Sequence, residues 1–134
     1  METAAKILIL GGVLNIAYAL LTGIPAAFIR QNSPTYPKYL RFVHVGSLMW
    51  GPLLISLVLA LELSPLEQQV ELIAAWLMVI SSLALNAKDT INWLQGVGDE
   101  FVEKPILPTM LGAISALTSI VGIGIILVGV IRGL

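Results

Sequence analysis

The sequence predicts an all-α integral membrane protein: one domain over residues 1–134, folded as an up-down bundle of four transmembrane helices. Three observations carry this. Hydrophobic residues make up 57% of the chain and charged residues only 11%, with a mean hydropathy of +0.95. A soluble domain carries about 25% charge, so there are too few charges here to cover a water-facing surface. The charges also fall at the ends of four long uncharged or nearly uncharged runs. None of the runs alternates polar with apolar residues, as the strands of a membrane barrel would.

The first run, Ile7–Ile29, lies between Lys6 and Arg30. At about 1.5 Å per residue it reaches roughly 34 Å, enough to cross a hydrocarbon core of about 30 Å with some tilt. Its length and the acidic Glu2 before it favour a retained helix over a cleaved signal peptide. The second helix is expected over 42–61, between Arg41 and Glu62. The third, over 70–94, is apolar to Ala87 and then meets Lys88 and Asp89 before Trp93. The fourth is expected over 106–131. Of the connections, Gln31–Leu40 holds two prolines and two tyrosines and reads as an ordered interfacial loop. Glu62–Glu71 is acidic, with Ser64-Pro65-Leu66-Glu67 reading as an N-cap and first helical turn. Gly96–Lys104 reads as polar and flexible.

A net charge of −1 gives no reason to expect a nucleic-acid partner. The absence of cysteine excludes disulfides, thiolate metal sites and a cysteine nucleophile. Five Lys and Arg side chains (Arg30, Lys38, Arg41, Lys88, Lys104) fall on the first and third connections, and only Lys6 and Arg132 at the other end. That bias favours a cytoplasmic location for the first face.

The same face collects Arg41, His44, Asn86, Lys88, Asp89 and Asn92. Ionisable groups at membrane depth are costly, which makes them functional candidates where they face the bundle interior. Lys88 is expected to snorkel to the interface, with Trp93 as a headgroup anchor. His44 is the sole histidine, so a multi-histidine metal site within one chain is excluded. It reads either as a hydrogen-bonded interfacial side chain or as one axial ligand of a haem iron, with the opposite position left open. Arg41 and Ser47 flank it at three residues either side, near one helical face. Arg41 is placed to meet a haem propionate. Gly46 and Gly51 clear space for a flat macrocycle or for another helix. Gly112-x-x-x-Ala116, Ser115-x-x-x-Ser119 and Gly129-x-x-x-Gly133 on the fourth helix read as bundle or subunit contacts.

Arg41-Phe42-Val43-His44-Val45-Gly46 and the following Gly51 resemble the haem-ligand segment of the bacterial styrene oxide isomerases, small four-helix membrane enzymes. Leu20-Leu21-Thr22-Gly23, Gly12 and Leu14 on the first helix, and Val58–Leu61 on the second, extend the resemblance over the first three helices. It implies haem b with His44 as iron ligand, and helical spacing puts Arg41, Gly46 and Ser47 around it. It also implies a homotrimer with the haem at a subunit interface, in the bacterial cytoplasmic membrane. The implied reaction is isomerisation of an apolar epoxide to a carbonyl compound, with ferric iron as Lewis acid. Asn86, Asp89 and Asn92 would then form the polar wall of the substrate cavity. Trp50 stands where that family has an asparagine, and Asn86–Thr90 lacks the family's tyrosine. Two other functions fit the same chain: a non-catalytic subunit packing into a larger membrane assembly, and a haem-based sensor or carrier of a small apolar ligand.

Overall fold

The computed structural model describes residues 2–134. Four long helices, α1 (Thr3–Asn32), α2 (Lys38–Glu62), α3 (Gln68–Leu94) and α5 (Ile106–Gly133), pack as a bundle, with a short α4 (Glu100–Glu103) between the last two. All four are long and apolar enough to cross a membrane, and no strand occurs among the described residues. The helices overrun the uncharged segments at most ends. Arg30 therefore sits in the last turn of α1, where a cation complements the helix dipole.

Helix α1 turns mostly small residues inward and large ones outward. In α1 the inward positions are Ala4, Leu8, Gly11, Asn15, Ala19, Thr22 and Ala26, a stripe spaced by three or four residues. Leu10, Leu14, Leu20, Leu21, Ile24 and Phe28 face outward. Burying large side chains against each other gains little over lipid, so membrane helices associate through close packing and polar contacts instead. Gly12 and Gly51 show the consequence where α1 crosses α2. A Cβ on Gly12 would lie 2.7 Å from the Gly51 carbonyl oxygen, and one on Gly51 would lie 3.1 Å from that of Gly12. Pro25 and Pro52 sit inside α1 and α2 without ending them, a tolerance usual in membrane helices.

Helices α1, α2 and α3 pack against one another, whereas α5 lies chiefly along α3. The buried residues of α5 accordingly form a narrow seam: Pro108, Ser115, Gly122, Ile126 and Gly129. Gly122 receives Met78, and Gly129 receives Ser64. An apolar core around Leu8, Leu54, Leu57, Ala75, Met78 and Val79 occupies the half of the bundle near the second connection. Most buried polar groups occupy the other half.

Two connections differ from the reading of the sequence. Helix α3 begins at Gln68, after Glu67, so Ser64 is not its N-cap. Ser64 instead donates its N–H to the Leu61 carbonyl, accepts from Leu66 N–H, and fills the space above Gly129. The third connection is ordered from both ends. Gly96, at φ 67°, closes α3 with paired bonds from Gly96 N–H to Trp93 O and from Val97 N–H to Asn92 O, a Schellman cap. Asp99 then caps α4 by accepting from Phe101 N–H, and Glu103 Oε1 accepts from the N–H groups of Gly98 and Asp99.

The Gly12–Gly51 crossing leaves no room for side chains between two backbones. Gly51→Leu is expected to destabilise the bundle by about 1–3 kcal/mol, measured by denaturant titration in detergent. Gly124→Leu, at a position where a Cβ meets nothing within 4 Å, should be near neutral.

Candidate functional site

His44 lies against α1. Its Nδ1 is 2.8 Å from the carbonyl oxygen of Ala19. A carbonyl oxygen only accepts, so Nδ1 carries a proton, and in the neutral ring Nε2 presents its lone pair. Gly23 makes this seat possible, because a Cβ there would approach the imidazole Cε1 to 3.0 Å. The backbone carbonyl thus fixes both tautomer and ring plane, the arrangement that second-shell partners give metal-binding histidines.

A cavity of about 640 Å³ opens at the imidazole, lined by Arg30, Ser33, Pro34, Tyr36, Arg41, His44 and Val45. Arg30 stacks over the Tyr36 ring, its guanidinium carbon 5.9 Å from the centroid. Neither Arg30 nor Arg41 forms an ion pair among the described residues, so the mouth of the cavity favours an anionic group. Beside it, a Cβ on Gly46 would meet nothing within 4 Å. Ser47 does not share this cavity. It is fully buried on the inner side of α2 and donates to Asn86 Oδ1 at 2.9 Å.

Asn86 is the centre of a separate interior network. Its Nδ2 donates to Asn15 Oδ1 at 2.8 Å, while Asn15 Nδ2 donates to Ser82 Oγ at 3.0 Å and to Gly11 O at 2.8 Å. Thr90 Oγ1 donates to the Asn86 carbonyl, and the Tyr18 hydroxyl lies 2.6 Å from Thr90 Oγ1. One asparagine therefore ties α1, α2 and α3 together.

A third cluster occupies the end of the bundle. Lys88 Nζ donates to Glu100 Oε1 at 2.7 Å and lies 3.2 Å from Asp89 Oδ1. The lysine is thus held by carboxylates and does not extend free into the headgroups. Asn92 Nδ2 donates to Glu100 Oε2, and Glu100 N–H donates to the Tyr39 hydroxyl. Glu100 therefore fastens α4 onto α2 and α3. Asn92 Oδ1 is buried and accepts no hydrogen bond, and Asp89 Oδ1 has only the Lys88 ammonium beside it, an arrangement costly in a site that holds two carboxylates and one ammonium.

Of the residues singled out in the sequence, Arg41 and His44 share a cavity, and Ser47 and Asn86 share an inner network. Asp89 and Asn92 belong to the ion cluster, and none of Asn86, Asp89 and Asn92 lines the His44 cavity. Ala19, Gly23, Arg30 and Tyr36 complete the histidine site without having been legible as its parts. Asn15 was hidden in the same way within an otherwise apolar span. No group of three or more His, Asp or Glu side chains able to hold a metal ion occurs among the described residues. A haem iron asks this chain for one axial nitrogen and no such group.

Removing Asn86 leaves Asn15 Oδ1 and the Ser47 hydroxyl without their partners. Asn86→Ala is expected to cost about 1–3 kcal/mol. A double-mutant cycle with Asn15→Ala should give a coupling of about 0.6–1.7 kcal/mol, read from unfolding titrations in detergent.

No family model, no curated protein and no solved structure matches this chain.

Proposed function

We propose that the chain binds haem b through His44 Nε2 and uses it on a small apolar epoxide, isomerising it to a carbonyl compound in the bacterial cytoplasmic membrane. The observation that carries this reading is the bond from His44 Nδ1–H to the Ala19 carbonyl. It leaves Nε2 as an acceptor in a cavity that no carboxylate lines. A neutral imidazole so fixed is the form that ligates iron. Arg41 and Arg30, at the mouth of the same cavity, supply the cations that haem propionates require.

Bound ferric haem would supply a Lewis acid able to polarise an epoxide oxygen. The protein's own contribution is positioning and exclusion. Gly23 and Ala19 hold the ring, and the open side of Gly46 leaves room for a flat face. The apolar outer surface of α2 beside the cavity, with Phe42, Val45, Leu48 and Met49 exposed, would keep water from the reacting carbon once covered and so disfavour a diol. Because this surface faces out of the bundle, a neighbouring copy in a homotrimer would close the site. The polar wall would then come from residues other than Asn86, Asp89 and Asn92 of the same chain, since all three are committed to interior contacts.

The purified chain, given haem in detergent, is expected to show a Soret band that His44→Ala abolishes or shifts. Gly23→Val, which crowds the ring and leaves the histidine in place, should weaken haem binding without removing the ligand. A spectrum without the band, or one identical in His44→Ala, would overturn the haem assignment. Arg41→Gln should weaken haem affinity by no more than about fivefold, as for an exposed charge pair. Incubation with an aryl epoxide tests the chemistry separately: carbonyl product is expected from wild type and not from His44→Ala. Absence of product from a haem-loaded sample would defeat the enzymatic reading alone.

A further inference from the structure

At the opposite end of the bundle from the histidine, a cavity of about 510 Å³ opens between the start of α1, the end of α2 and the start of α3. Its polar wall is acidic: Glu2, Glu62 and Glu71 line it, and no Lys, Arg or His does. Val58, Leu61 and Leu66 supply an apolar wall beside the carboxylates. This is also the end of the molecule poorest in cations. Glu2, Glu62, Glu67 and Glu71 stand there against only Lys6 and Arg132. Both of those are exposed, and neither enters an ion pair among the described residues.

Glu71 sets this cavity apart from a solvated acidic surface. It belongs to α3 and is only 3% exposed. Glu2 and Ser64, both cavity residues, stand beside its carboxylate, which is therefore turned to the cavity. Yet Glu71 Oε1 is buried and accepts no hydrogen bond. A buried carboxylate oxygen without a donor is costly, and a second carboxylate beside it adds repulsion. No cation among the described residues pairs with it. What the site lacks is an N–H donor that carries positive charge. No three His, Asp or Glu side chains among the described residues are grouped to hold a metal ion. The carboxylates suit instead a larger cation that touches one or two of them and lays an apolar body on the other wall.

We infer that this cavity binds a small primary alkylammonium, its N–H groups donating to Glu71 Oε1 and the Glu2 carboxylate, its hydrocarbon part against Val58, Leu61 and Leu66. A quaternary ammonium carries the same charge but no N–H, and would leave Oε1 without a donor. A neutral alcohol of the same length lacks the charge. The volume of about 510 Å³ falls within the range of small-molecule sites, about 300–1,000 Å³. The inference is independent of haem, since no lining residue is shared with the His44 cavity.

The test is isothermal titration calorimetry of the full chain in an uncharged detergent with n-pentylammonium, the heat of titration into empty micelles being subtracted. Saturable binding is expected. The n-pentyltrimethylammonium ion and n-pentanol should each bind at least about tenfold more weakly, since each lacks one half of a charge-assisted hydrogen bond. Glu71→Gln should weaken n-pentylammonium by a similar factor of about ten. Glu67→Gln, at an exposed carboxylate on the same connection that does not line the cavity, should leave the affinity unchanged. Absence of saturable binding, the result expected if Glu2 and Glu71 only share a proton, would overturn the assignment. So would equal affinity for the three compounds, affinity undiminished in Glu71→Gln, or an equal loss in Glu67→Gln. Far-ultraviolet circular dichroism confirms that each variant remains helical, and where Glu71→Gln does not fold, the three compounds on wild type decide.

Discussion

The bundle depends on the side-chain amide of Asn86. In a hydrocarbon surrounding, leucine gains nothing by leaving lipid for a neighbouring helix, so specificity must come from close contact and from polar groups that find partners. Asn86 uses both ends of its amide, donating to Asn15 on α1 and accepting from Ser47 on α2. Those two bonds fix the rotation of each helix about its axis and its height against α3. The small-residue stripes then let the backbones approach closely enough for the bonds to form, as at Gly12 and Gly51. Neither device works alone: a polar group between distant helices would be unsatisfied, and small residues without a polar register would slide.

That register has a consequence at the periphery. With Ser47 pointed inward to Asn86, His44, one turn earlier on α2, falls at the α1 boundary and not inside the bundle. There it finds the Ala19 carbonyl, and Gly23 leaves it space. The imidazole is thus orientated by the backbone and open on one edge, the state of a ligand or of a proton acceptor. Polar groups in the half of the bundle away from the second connection accordingly do three different things. The asparagine network holds the helices, the Glu100 cluster holds the third connection, and the histidine is left with a free nitrogen.

Much of this was legible in the sequence, for physical reasons that differ by element. The spans were legible because charge is excluded from hydrocarbon, so Arg30, Arg41, Glu62 and Lys104 mark the ends of apolar runs whatever the packing. Which polar residues face one another was not legible, since that depends on helix rotation. Arg41 and Ser47 are equally spaced from His44, yet one lines its cavity and the other turns into the core. Asp89 and Asn92 were grouped with the histidine by shared membrane depth, but depth says nothing of azimuth: Asp89 pairs with Lys88, and Asn92 with Glu100 on a connection that reads as flexible. Glu100 carried no local signal because its role rests on Tyr39, 61 residues earlier. Ser64 misled for a related reason. Its pattern fits an N-cap, but the hydroxyl is taken by a turn and by the close approach of Gly129.

The Glu100 cluster shows why a short helix belongs in so small a membrane protein. Four residues cannot hold a helix by propagation alone, and α4 buries no side chain of its own. It persists because one carboxylate reaches Lys88 and Asn92 while its own N–H reaches Tyr39. Those bonds neutralise Lys88, a charge that α3 carries at membrane depth, and they draw the third connection down over the end of the bundle. The same fold of the chain places Phe101 beside α5 and leaves Lys104 exposed. The contact that makes Lys88 tolerable therefore also builds an apolar groove between α3, α4 and α5. Charge compensation on α3 and the groove beside it are two results of one set of hydrogen bonds.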